Sequence, residues 1–136
     1  MTQVIIFKNE NDGVAICTPT GELPIEIVME KDVPFNRGAR IVNDEDLPRQ
    51  NFDFFNAWEM DETSITINLN KAKEITKERL RLERAPLLAA QDVLFQRALE
   101  NGEPTTAIVN EKNRLRDITL LVDDCTTLEQ LRNLHC

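Results

Sequence analysis

The sequence has almost none of the residues from which most active sites are built. Its 136 residues include one histidine and three cysteines. The histidine, His135, stands beside Cys136 at the last positions, so a nucleophile-and-base pair has no interior histidine to draw on. That terminal pair reads as a frayed end in preference to a metal site. Cys17, Cys125 and Cys136 are odd in number and far apart. A disulfide framework calls for more cysteines, and a zinc site for a Cys-x-x-Cys or a local histidine. The four glycines, at 13, 21, 38 and 102, are isolated, which excludes a phosphate-cradling loop. No run approaches the roughly 20 apolar residues that cross a bilayer. The opening residues Met1 to Phe7 lack a basic region and read as a first strand, not a signal peptide. The expected compartment is cytoplasmic, with no membrane partner, no cofactor and no metal.

Positive charge is scarce in one half only. Residues 1 to 70 hold 13 Asp and Glu against 5 Lys and Arg, whereas residues 71 to 136 hold 11 of each. The net charge of −8 therefore belongs to the first half. Binding to a phosphate backbone needs a dense positive surface, so direct nucleic-acid binding is not expected. The acidic run Asp44, Glu45, Asp46 lacks the spacing and distal glutamate of a calcium loop and reads as a solvated turn.

What the sequence does have changes character near residue 70. Val4-Ile5-Ile6-Phe7 and Val14-Ala15-Ile16-Cys17 flank Asn11-Asp12-Gly13, which predicts a β-hairpin. Pro24 to Asp32 fits a strand or a short helix equally, since proline is favoured at a first helical turn. Arg40-Ile41-Val42 reads as a strand. Phe54 to Met60 and Ser64 to Leu69 read as a last hairpin turning at Asp61-Glu62-Thr63. From Asn70, a plausible N-cap, the apolar period becomes about 3.6. A helix is predicted over about 71–101, ended by Gly102 and kinked or broken near Ala85 by Pro86. Further helices are predicted over about 106–117 and 127–134, the last opened by a capping box of Thr126 and Glu129. The fold class is α+β: a small antiparallel β-rich acidic module, 1–69, then a helical region, 70–136, with a long proline-kinked helix and a C-terminal helical hairpin.

Two features point to partner binding. Phe52, Phe54, Phe55 and Trp58 hold four of the seven aromatics. In an alternating strand Phe54 and Trp58 share one face and Phe55 takes the other, so one face is core and the rest would anchor a partner. The second feature is the contrast across Pro86. Residues 71 to 84 carry six Lys and Arg against three Glu, a solvated helix laced with i,i+4 pairs or a projecting docking helix. After Pro86 the helix is apolar around much of its girth and needs cover on more than one side. The candidate partner-binding residues are Phe54, Phe55, Trp58, Leu87, Leu94 and Phe95.

Particular words in the sequence also carry a resemblance. They are Lys31-Asp32-Val33-Pro34, Arg40-Ile41-Val42, Asp46-Leu47-Pro48 and Phe55-Asn56-Ala57-Trp58-Glu59, followed by Glu83-Arg84-Ala85-Pro86-Leu87-Leu88-Ala89-Ala90 and Arg97-Ala98-Leu99-Glu100. In that order, over most of residues 25 to 118, they resemble small tailed-phage proteins of the tail-assembly-chaperone or tail-fibre-assembly type. Gln91 and the segment Arg49 to Asp53 depart from that pattern. The resemblance implies a non-enzymatic protein of the bacterial host cytoplasm that binds a phage tail or tail-fibre subunit during virion assembly. It brings no catalytic residues. The competing expectations are a minor structural component retained in the virion as a homo-oligomer, and an acidic phage protein that engages a host factor.

Overall fold

The structure is a computed structural model, and it describes residues 2–34 and 36–136. It is α+β, as expected, and divides into two compact units, Met1–Asn68 and Leu69–Cys136.

The first unit is built around β1 (Gln3–Lys8), which lies between β2 (Val14–Cys17) and β3 (Arg40–Asn43), antiparallel to both. Val4, Ile5 and Ile6 are all buried, and the reason is that the sheet is covered on both faces. Alternation sends Val4 and Ile6 with Val14 into a cluster with Leu47, Trp58 and Met60. Ile5 points the other way, to Val28 and Val33. Val28 comes from α1 (Ile25–Asp32), so the segment after Pro24 is helical. Its only acid in the first turn is Glu26 and its last turn carries Lys31, which suits the helix dipole. The opposite cover is the hairpin of β4 (Trp58–Met60) and β5 (Ile65–Ile67).

That hairpin is shorter than the alternation predicts. Residues Arg49–Ala57 form 3-10 turns with a break at Asn51 and Phe54, and only from Trp58 is the chain extended. Three residues per turn put Phe52, Phe55 and Trp58 on one side. Phe52 and Phe55 stack at 5.1 Å, and both meet Trp58 edge-on at 5.9 and 4.9 Å. The indole N–H donates to the Asn51 carbonyl at 3.1 Å, which holds the turn against the strand. Alternation therefore gives the wrong partners: Phe54 is not paired with Trp58 across one strand face.

The second unit is led by α2 (Leu69–Asn101), which is continuous through Pro86. The predicted break does not occur; proline removes one donor, but Pro86 is exposed, where water can satisfy the orphaned carbonyl. Asn70 is not the N-cap, because the helix already includes Leu69, while Asn68 is tied to the first unit through the Ala57 carbonyl and Glu59. Gly102 ends the helix at φ +68. Its N–H donates to Leu99 and that of Glu103 to Ala98, the bond pattern of a Schellman motif.

α3 (Thr106–Asp117) folds back along α2, and a 3-10 segment, Ile118–Asp124, prolongs it. The last helix is α4 (Leu128–Asn133). Its capping box lies one residue later than the Thr126–Glu129 spacing predicts: Thr127 accepts from the Gln130 N–H at 3.2 Å, and the Gln130 side chain accepts from the Thr127 N–H. Both pairs have the right spacing, and glutamine serves as well as glutamate. The core of this unit is Ala72, Thr76, Leu80, Leu115, Ile118, Val122 and Leu131. The Thr76 hydroxyl, buried there, donates to the Ala72 carbonyl at 2.9 Å.

Candidate partner-binding surfaces

On α2, burial runs opposite to hydrophobicity. The lysine-rich half supplies the most deeply buried helix residues, Ala72, Thr76 and Leu80. Apart from the exposed Arg81, most of its cations are turned to neighbouring elements. Lys77 pairs with Asp123 at 3.0 Å, and Lys73 donates to the Asp123 carbonyl. The Asp123 carboxylate raises the Lys77 pKa, burial opposing it. Arg79 donates to the Leu131 and Leu134 carbonyls at 3.1 and 2.7 Å, and Arg84 to the Arg116 carbonyl at 2.8 Å. Arg79 thus satisfies the Leu134 carbonyl at the end of α4 and adds to the bond that the Leu131 carbonyl accepts from the Leu134 N–H. This segment is a packed framework, neither a projecting arm nor a merely solvated face.

The C-terminal residues are docked by the same groups, so the frayed end expected for His135 and Cys136 is not seen. His135 Nδ1 lies 3.2 Å from the Glu83 carboxylate, and Arg79 pairs with Glu83 at 2.7 Å. Partial burial pushes the Glu83 carboxyl up, but His135 and Arg79 outweigh it and leave the pKa lowered. Arg114 donates to the Cys136 carbonyl, and burial raises the Cys136 thiol, which leaves it less nucleophilic.

Beyond Pro86 the helix is covered along one line only. Leu88, Gln91 and Phe95 are half-buried and Ala98 is buried, at the i,i+3,i+7,i+10 spacing of a single face. Lys112 of α3 caps that line, 5.1 Å from the Phe95 ring centre, and pairs with Asp92 at 2.6 Å. Two other lines are open. Leu82, Pro86, Ala89 and Val93 follow one, and Leu87, Ala90 and Leu94 the next. Leu82 is 69% exposed, Leu94 44%. Leu99, Val109, Leu120 and Leu121 add to the open apolar surface of this unit. Eight of the eleven large hydrophobic side chains exposed among the described residues belong to it.

The aromatic candidates fare differently. Phe54 and Trp58 are buried, with Trp58 at 0% exposure, and neither is open to a partner. Phe55 is half-buried under Phe52. The exposed member is Phe52, at 48%, with the Arg49 guanidinium 5.5 Å from its ring centre. Arg49 also pairs with Asp44. A groove of about 460 Å³ lies between these rings and β2, lined by Val14, Ile16, Phe52 and Phe55 among others. Of the predicted residues, then, Leu87 and Leu94 lie on one open line, Phe95 faces α3 and Phe55 lines the groove. Leu82 and Val93 are open residues outside the candidate set, although the i,i+4 spacing of Leu82 with Pro86 was available, and Phe52 is the member of the aromatic cluster left outside as an anchor.

Among the described residues, no group of three or more His, Cys, Asp or Glu could hold a metal ion, and no helix is long and apolar enough to cross a membrane. No family model, curated protein or solved structure matches the chain.

Proposed function

We propose that this chain is a non-enzymatic phage protein that binds a tail or tail-fibre subunit in the host cytoplasm during virion assembly. The observation that carries the binding part of this reading is the open apolar surface on α2 beyond Pro86. A monomer seldom leaves a contiguous apolar area of that kind uncovered. An amphipathic helix with a second apolar line is a common means of engaging another helix or groove. Subunits waiting to assemble expose apolar surface, and a protein that covers it reversibly needs such a face. The phage assignment itself rests on the ordered resemblance over residues 25 to 118.

Tagged protein drawn from infected or prophage-induced cells should enrich a tail or fibre subunit, identified by mass spectrometry. Leu94→Asp should lose that enrichment while unfolding as the wild type does, because Leu94 is open. Recovery of host proteins alone would refute the assembly role. Equal recovery by the Leu94 variant would move the docking face elsewhere.

A second reading, a homo-oligomeric virion component, has one observation in its favour. The pattern Leu82, Ala85, Pro86, Ala89, Ala90, Val93 reads similarly in either direction, with large residues outside small ones. Two copies could pack antiparallel about its centre, as a two-fold interface requires. A symmetric copy number in purified particles would select this reading over a chaperone.

A further inference from the structure

We infer that the outer edge of β2 is a docking site for an extended, basic segment of a partner protein, added as a fourth strand to the sheet. β2 is an edge strand in the order β2-β1-β3. Its register on β1 pairs Phe7 with Ala15 and Ile5 with Cys17, and the Asn9 N–H donates to the Gly13 carbonyl in the same register. Antiparallel pairs alternate between bonded and non-bonded. Bonding at Asn9 and Gly13 therefore assigns Ala15 and Cys17 to β1 and turns the N–H and C=O of Val14 and Ile16 outward. Among the described residues, no hydrogen bond to those outward groups is present. Edge strands are commonly protected by shortness, by a charge or by proline. β2 is short, at four residues, but Val14-Ala15-Ile16-Cys17 carries neither charge nor proline.

The groove beside this edge decides what kind of strand would add. Val14 and Ile16 share it with the stacked rings of Phe52 and Phe55. An added strand would turn every second side chain towards those rings, which favours an aromatic or branched aliphatic residue at that spacing. Charge selects the remaining positions. Glu10 and Asp12 stand in the turn before β2 and Glu22 in the turn after it, within a unit that holds 13 acids against 5 bases. Arg49, the cation of the groove, is already engaged by Asp44. Lysine or arginine between the apolar residues of the incoming segment complements this field. The site is independent of the α2 surface.

The test uses the full chain and the acetylated, amidated peptide Lys-Val-Lys-Phe-Lys-Val-Lys. Amide shifts in NMR spectra should map its binding to Val14, Ile16 and the Phe52 segment. Phe52→Ala, at an exposed position, should weaken binding by at least about tenfold, as the loss of an interface anchor does. Two peptides N-methylated on alternate residues separate strand addition from simple attraction, since an added strand presents only one set of its N–H groups to β2. One should fail to bind and the other should retain affinity. Equal binding by both, or by a peptide of the same composition with its apolar residues placed together, would overturn the proposal in favour of charge alone. Absence of binding would overturn it outright. So would a peptide-free dimer, seen by sedimentation, that Phe52→Ala converts to monomer, because the edge would then belong to a second copy.

Discussion

Asp61 shows how much one exposed side chain can organise. Its carboxylate accepts from the N–H groups of Thr63 and Ser64 at 2.8 and 2.7 Å and from both hydroxyls, closing the turn between β4 and β5. Those donors, led by the Thr63 N–H, hold its carboxyl down from 3.8 to about 2. A carboxyl depressed by folding stabilises the fold above its unfolded pKa, and the contribution fades as pH falls through the folded value. Asp61→Ala should therefore be less stable than the wild type at neutral pH. The gap between the two, followed by urea unfolding with Trp58 fluorescence, should narrow from about pH 4 to about pH 2. A gap that stays constant over that range would mean that the turn does not depend on the carboxylate charge. The turn residues were legible in the sequence as Asp61-Glu62-Thr63, because short polar side chains that bond their own backbone mark turns.

At the level of whole elements, helices and strands with long periodic patterns were legible and those governed by their neighbours were not. β1, β2 and β3 follow from β-branched runs and a turn, and α2 and α3 from period and a terminal glycine. The aromatic stretch was misread because alternation over Phe54 to Met60 cannot be told from a three-residue period by composition, and the Asn51 carbonyl that captures the Trp58 N–H is a tertiary fact. On α2 the apolar half is the more open one, and the cover expected on more than one side is present along a single line. Alanine and threonine at 72 and 76 and a lone leucine at 80 are the covered residues, because the 3-10 segment, α4 and the last turn of α3 meet that half. Arg79 and Arg84 fix them there through carbonyls. This inversion predicts unequal costs for two leucines within one turn. Leu80→Ala, at a fully buried site, should destabilise the helical unit by about 3 kcal/mol, whereas Leu82→Ala should lie within about 0.5 kcal/mol of wild type. Helical circular dichroism against denaturant would measure both, and a comparable loss at Leu82 would show that its face is covered in the free protein.

Taken over the whole chain, the division into two units coincides with a division of charge. The first unit carries the entire excess of acid, and the second is balanced, with its ion pairs mostly at its surface. Concentrated like charge destabilises a compact state by self-repulsion, and salt relieves it as the screening length falls from about 30 Å at 0.01 M to about 10 Å at 0.1 M. Exposed ion pairs contribute little and lose part of that little in salt. The two units should therefore respond in opposite senses, or one strongly and the other hardly at all. Trp58, buried in the first unit, is the sole tryptophan and reports that unit alone. The helical circular dichroism is dominated by α2 and α3 in the second. Raising sodium chloride from 0.01 to 0.5 M should move the fluorescence midpoint to higher denaturant while the dichroism midpoint stays or falls slightly. Two midpoints that rise together would mean that the units unfold as one, and the acidic excess would then act on the stability of the whole chain. Separate responses would leave the acidic unit free to use its charge for attracting a basic partner segment, with the stability of the helical unit unaffected.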